Sequence, residues 1–257
     1  MIYTENETIL KVENLSLVYD RPILSNINFE IKNIVRPEIN QGQIISLIGR
    51  SGVGKTQVFK LLAGLQKPTT GSIKIGTDLH DVKIGEVGIV PQNYLLFDHR
   101  TIKSNLEIAI NNEKKDDIIK YYADKFDLTQ TLTKYPQQLS GGQRQRVSII
   151  QQILTGNNFI LLDEPFSGLD CIIKEKIIQL LVDISLLNDL TTLIIVSHDI
   201  SSSLAISDRA LILANKDNLG AKIVENINLA ALDLAWNKDI KFNKNFIDLV
   251  QHIESII

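Results

Sequence analysis

A short β-branched run, Gln43-Ile44-Ile45-Ser46-Leu47-Ile48, leads without a break into Gly49-Arg50-Ser51-Gly52-Val53-Gly54-Lys55-Thr56, and helical spacing follows. A strand that turns through glycines into a helix aims the unpaired N–H groups of the helix start at one point, where roughly half a positive charge gathers. The order fits GxxxxGK[ST]. Glycines 49, 52 and 54 let the backbone curl without a Cβ in the way, Lys55 can reach the β- and γ-phosphates of a nucleotide, and Thr56 offers a hydroxyl to Mg²⁺. A strand that passes straight into a helix also begins an α/β pattern, in which a sheet is covered by helices.

The remaining pattern extends that expectation. Ile160–Leu162 and Leu193–Val196 are apolar throughout, and Ile172–Leu187 between them has helical periodicity. Val12–Tyr19, Ile27–Ile31 and Ser72–Ile75 read as antiparallel strands, with turns at Arg21-Pro22 and Thr70-Gly71. Thr56–Leu65 reads as a helix stopped by Lys67-Pro68. Residues 93–153 hold three helical segments, near Thr101–Ile110, Asp116–Phe126 and Gln143–Leu154, and read as an inserted helical lobe. Strands at Ala210–Leu213 and Ala221–Val224 and an amphipathic helix at Asn243–Ile257 complete the chain. The expected fold is α/β: a P-loop NTPase (RecA-like) core with an antiparallel β subdomain and an inserted α-helical subdomain. The expected divisions are 1–91, 92–153, 154–229 and a helical tail at 230–257.

Composition narrows the function. With 257 residues, 44% of them hydrophobic, a large core is available. A net charge of −3 provides no general basic surface for a phosphate backbone, so nucleic acid is not an expected partner. The single cysteine, Cys171, cannot make an intrachain disulfide and fits a reducing compartment. Met1–Leu10 carries acids and lacks the pattern of a signal peptide, and no apolar run approaches the roughly 20 residues of a membrane span. Any spans are expected on another chain.

Two further clusters carry chemistry. Asp163-Glu164 closes the apolar run Phe159–Leu162, which puts both carboxylates at the C-terminal edge of a sheet, where open α/β sheets bind ligands. Asp163 suits a Mg²⁺ shell, and Glu164 suits orienting and deprotonating an attacking water. Leu139-Ser140-Gly141-Gly142-Gln143 forms a second glycine-rich helix start with a hydroxyl. One nucleotide needs one cradle, so the second is expected to serve a nucleotide held by another copy; by itself it would be an ordinary serine cap.

These motifs, in this order, resemble the nucleotide-binding subunit of ATP-binding cassette (ABC) transporters over nearly all the chain up to about Leu213. The resemblance implies ATP and Mg²⁺ as cofactors. It implies nucleotide contacts from Gly49, Arg50, Ser51, Gly52, Val53, Gly54, Lys55, Thr56 and Gln57, and from Ser140, Gly141, Gly142 and Gln143 across a dimer. Tyr19 would stack on adenine, although read alone it is a core or edge-strand tyrosine. Gln92 would meet Mg²⁺ and water, with Thr56 and Asp163 as the other metal contacts. Asp170, in Ser167-Gly168-Leu169-Asp170, would lie at the dimer interface, and His198 would join Glu164 and Gln92 as a catalytic group. The implied partners are a second copy or paired cassette, transmembrane permease subunits and a substrate-binding protein. The implied location is cytoplasmic, peripheral on the inner face of the cell membrane. Asn93–Thr101 resembles importers, and the nearest branch is the nitrate, sulfonate and taurine one. Gln57, where a small hydroxyl residue is usual, and the insertion Asn33–Asn40 depart from the family pattern. A mechanical ATPase acting on nucleic acid or the ribosome is the alternative, disfavoured by the acidic balance and the lack of coiled-coil insertions. A nucleotide sensor without turnover is disfavoured by the presence of Glu164, Gln92 and His198.

Overall fold

The computed structural model describes residues 3–37, 39–110, 113–236 and 240–257. Two sheets organise them. The first is antiparallel, built from β1 (Thr4–Val18), β2 (Pro22–Val35), β4 (Thr70–Ile75) and β5 (His80–Asp81) in the order β2-β1-β4-β5. The second contains β3 (Gln43–Ile48), β6 (Val87–Val90), β7 (Phe159–Asp163), β8 (Thr192–Ser197), β9 (Arg209–Ala214) and β10 (Lys222–Asn228), in the order β10-β9-β3-β8-β7-β6. All its pairings are parallel except β10 with β9.

The central strands are covered on both sides, as their composition requires. Every residue of β3 and β8 is buried. Alternate side chains enter different cores: Ile194 and Val196 pack with α1 (Lys55–Leu62) and the antiparallel sheet, whereas Leu193 and Ile195 pack with the helices of the opposite face. That face carries α4 (Gly141–Leu154) and α5 (Cys171–Ser185), joined by α2 (Ile102–Glu107) and α3 (Lys115–Lys125). Between β6 and β7 the described residues form helices and 3-10 turns and no strand, as expected for the inserted segment. A third core joins α6 (Ile200–Leu204) and β9 to α7 (Lys244–Ile256).

Several boundaries differ from those expected. Helix α1 stops at Leu62, short of Lys67-Pro68, because Gly64 takes φ 69° and a Schellman motif closes there: Gly64 N–H donates to the Leu61 carbonyl and Leu65 N–H to that of Lys60. Helix α4 starts at Gly141, not Gln143, since Ser140 caps it and both glycines enter its first turn. Thr70-Gly71 lies inside β4. Helix α2 is shorter than its helical pattern. Strands β1 and β2 run well beyond the expected cores, because they support each other as a long hairpin with several register shifts.

The Asn33–Asn40 insertion acquires a role here, apart from residue 38, which lies outside the described residues. Asn33–Val35 prolong β2, and Arg36 turns inward, 4% exposed. Its guanidinium pairs with the fully buried Asp208 and donates to the Gly42 carbonyl. Asp208 also accepts from the Ile44 N–H at 2.9 Å and from the Trp236 indole at 2.7 Å. Burial outweighs Arg36 and these donors and leaves the Asp208 carboxyl above the usual carboxylate range. The insertion, the start of β3 and the tail are thus pinned at one carboxylate. Removing it leaves a buried, uncompensated guanidinium, so Asp208→Ala should lower the unfolding free energy by about 3–5 kcal/mol. Urea denaturation monitored by circular dichroism reads this, and an unchanged midpoint would contradict the pinning.

Candidate active site

Strands β3, β6, β7 and β8 run parallel, so their C-terminal ends share one edge. β3 delivers Gly49–Thr56, β7 ends in Asp163, followed by Glu164, β8 leads to His198, and the segment after β6 supplies Gln92. Lys55, Thr56, Gln92, Asp163, Glu164 and His198, together with Ile23, Ser51, Gly52, Gly54, Gln57 and Ser167, line a cleft of about 420 Å³.

The loop's glycines are required for identifiable reasons. Gly52 and Gly54 have φ of 80° and 116°, which L side chains rarely adopt. Gly49 lies outside the left-handed φ range, but a Cβ there would lie 2.5 Å from the Leu213 carbonyl oxygen. Lys55 is only 6% exposed; its ammonium donates to the carbonyls of Gly49 (2.8 Å) and Arg50 (3.1 Å) and lies 3.3 Å from Glu164 Oε1. Val53 packs into the core beneath the loop, whereas Thr56 is exposed in the cleft.

Glu164 is doubly constrained. Its φ of 52° is left-handed, a strained state for a residue with a Cβ. Its N–H donates to the Val196 carbonyl at 2.8 Å. Oε2 lies 2.7 Å from His198 Nδ1 and accepts from the His198 N–H at 3.2 Å. Burial, with the charge of Glu164 beside it, pushes the Asp163 carboxyl above the usual carboxylate range. Gln92 is exposed, and its amide donates to Ser167 Oγ at 3.5 Å.

Tyr19 stands beside the cleft rather than in its lining. It is half-exposed, and its hydroxyl donates to Gln57 Oε1 (3.3 Å) and accepts from Gln66 (2.6 Å). Asp170 caps α5, accepting from the N–H groups of Ile172 and Ile173, each at 2.9 Å. None of Ser140, Gly141, Gly142 and Gln143 lines the cleft. Ser140 and Gln143 close a reciprocal capping box, with Gln143 N–H donating to Ser140 Oγ and Ser140 N–H to Gln143 Oε1. A Cβ at Gly141 would meet nothing within 4 Å, so the fold of this chain does not demand glycine there.

Two lining residues escaped the motif reading. Ile23 comes from the antiparallel sheet, held by the bond from Ala221 N–H to its carbonyl, and no local pattern marks it. Ser167 lies in the Ser167–Asp170 loop, but its contact with Gln92 is 75 positions away in the chain.

Residues 33–167, over half of the chain, match the family model described as ABC transporter. A sulfate/thiosulfate import ATP-binding protein of Pectobacterium atrosepticum is 35% identical over 73% of this chain and 60% of its own length. A probable sulfate/thiosulfate import ATP-binding protein of Chlorella vulgaris is 34% identical over 79% of this chain and 86% of its own. The chain therefore spans less than two thirds of the first of these relatives. Among solved structures, cbiO1 of Clostridium perfringens, part of the ABC transporter complex cbiONQ, superposes with a TM-score of 0.75 at 23% identity, covering 97% of this chain and 100% of that one. It shares the ATPase fold.

Because the atom facing Gly49 is backbone, Gly49→Ala must displace the loop or β9. It should destabilise the chain by about 1–3 kcal/mol and weaken ATP binding severely. Calorimetric titration measures the second effect, and undiminished affinity would show that the loop's shape is not what binds phosphate.

Proposed function

Because this chain belongs to the ABC transporter family, we propose that it binds and hydrolyses ATP as a pair with a second copy or an equivalent cassette, and energises a membrane permease. The observation that carries this is the separation of the two glycine-rich helix starts. One lines the cleft with Lys55, Asp163, Glu164, Gln92 and His198, while the other, Ser140–Gln143, lies outside it with open space at Gly141.

In the cleft, the amides of 49–56 hold the β-phosphate, and Lys55 exchanges its carbonyl partners for phosphate oxygens. Tyr19 stacks on the adenine. Among the described residues no group of three His, Cys, Asp or Glu side chains could hold a metal alone. Mg²⁺ does not need one, since it is usually held by one or two protein oxygens plus substrate phosphates and water. Thr56, Gln92 and Asp163 line one cleft and offer a hydroxyl, an amide oxygen and a carboxylate, which fit that mode. When bound, the ion would neutralise charge on the β- and γ-phosphate oxygens. Glu164, held by His198, orients a water and takes its proton as the new oxygen–phosphorus bond forms and ADP departs. With its Nδ1 on Glu164, His198 keeps Nε2 for the γ-phosphate.

Ser140–Gln143 of one copy completes the cleft of the other. Closure follows from the extra contacts made to the γ-phosphate across the interface, and hydrolysis removes them, so the pair reopens. Residues 92–153 act in this cycle as a signature lobe moving against the core of 1–91 and 154–229, with 230–257 as an appended tail. Among the described residues no helix is long and apolar enough to cross a membrane, which suits an ATPase seated on the cytoplasmic face of separate permease subunits. The names of the two relatives favour import. They carry sulfate and thiosulfate, beside the nitrate, sulfonate and taurine branch suggested by Asn93–Thr101, and solute choice belongs to the permease and a substrate-binding protein.

Glu164→Gln should bind ATP normally, lose turnover by orders of magnitude and accumulate a dimer. Phosphate release and light scattering report these, and undiminished ATPase in that variant would remove Glu164 from the chemistry.

A further inference from the structure

Resting on the pairing proposed above, we infer that Gln145 is a positioning residue that ties the start of α4 to the catalytic glutamate of its own chain, so that the nucleotide held by the partner sets the alignment of Glu164. Gln145 lies four residues after Gly141, hence one turn along the same helix face. It is fully buried, and its Nε2 donates to the Pro165 carbonyl at 3.0 Å. Pro165 directly follows Glu164 and has no N–H of its own, so its carbonyl is the one backbone hydrogen-bonding group by which it can be held.

The other half of the amide has no such explanation. Among the described residues Gln145 Oε1 is buried without a hydrogen-bond partner. A buried acceptor lacking a donor is unfavourable, and an apolar side chain of the same length would fill the volume without that penalty. A glutamine is therefore accounted for by what its NH₂ group holds. What it holds is next to a strained point: Glu164 sits at φ 52°, and its backbone is otherwise fixed by its N–H to Val196 and by Ser167 N–H donating to its carbonyl at 3.1 Å.

The start of α4 is stiff, because the Ser140–Gln143 box closes it on both sides. A displacement of that turn, such as capture of a partner's γ-phosphate would produce, carries Gln145 and with it the Pro165 carbonyl. The other glutamines of α4 lead elsewhere: Gln151 donates to the Asn105 carbonyl at 2.8 Å, and Gln152 accepts from the Ile89 N–H at 3.2 Å. Gln145 is thus the member of this set that ends on the catalytic loop.

The test is steady-state ATPase as a function of ATP concentration for the unmodified chain, Gln145→Met and Gln145→Glu. Methionine keeps the length and removes both the donor and the orphan acceptor, so the melting temperature should stay within about 3 °C. Its kcat should fall at least about tenfold with KM changed less than about twofold, and the Hill coefficient should drop from near the two-site limit of about 2 towards 1. In Gln145→Glu an ionised carboxylate faces the Pro165 carbonyl and cannot donate. Burial raises the pKa of such a group, so activity relative to the unmodified chain at the same pH should recover as the pH falls and the carboxyl regains a proton. A purely packing role would leave the Hill coefficient of Gln145→Met unmoved. Gln145→Met with unaltered kcat and cooperativity, beside an unmodified chain that is cooperative and a Glu164→Gln variant that still pairs, would overturn this inference alone. An unmodified chain that turns over without cooperativity would overturn it together with the pairing.

Discussion

Parallel pairing of β3, β8, β7 and β6 is the constraint on which the site depends. In a parallel sheet every strand delivers its following loop to the same edge. The registers Ile48↔Ser197 and Asp163↔Val196 bring the glycine-rich loop, the paired carboxylates and His198 to one level. β6, paired with β7, adds Gln92 at the side. A one-residue slip in any of these strands would exchange core-facing and opposite-facing side chains along its whole length, and burial on both faces leaves no tolerant register.

Across that edge runs a short electrostatic chain: Lys55, then Glu164, then His198, with Asp163 alongside. The chain is self-satisfied in part, since Lys55 is held by its own loop's carbonyls and Glu164 by the His198 ring and amide. Asp163 is the exception. Its neighbours bring negative charge and burial as well as the ammonium of Lys55, and its carboxyl is raised accordingly. An environment that disfavours a lone carboxylate is one in which a cation gains by arriving. On the far side of the sheet the same physics is used for structure: Asp208 is fully buried but meets Arg36, Ile44 and Trp236, so its charge organises the fold instead of a ligand.

Much of this was legible from the residues alone because the relevant signals are local. A strand ending in Gly49, a helix starting near Lys55, an apolar run closing on Asp163-Glu164 and a capped glycine turn at Ser140 each occupy fewer than about fifteen residues. Other features had no local signal. β1 and β2 extend past their alternating segments because each satisfies the other's backbone. Arg36, within the insertion Asn33–Asn40, is buried against Asp208, 172 positions away. Ile23 reaches the cleft from β2, which β1 pairs along its length and Ala221 holds at the Ile23 carbonyl.

The sequence by itself determined the class of fold and the chemical groups that each segment presents. Glycine spacing, strand composition and carboxylate placement act through the backbone of their own segment and need no distant partner. Only the tertiary structure decided which groups share a cleft. It put Gln92, Asp163, Glu164 and His198 together, left Ser140–Gln143 outside, made a helix cap of Asp170 and hung Glu164 between Val196 and a neighbour tied to Gln145. Those relations come from parallel strand order and from burial of polar groups that must find partners across the fold. Both depend on which distant segments meet, and a linear pattern does not encode that.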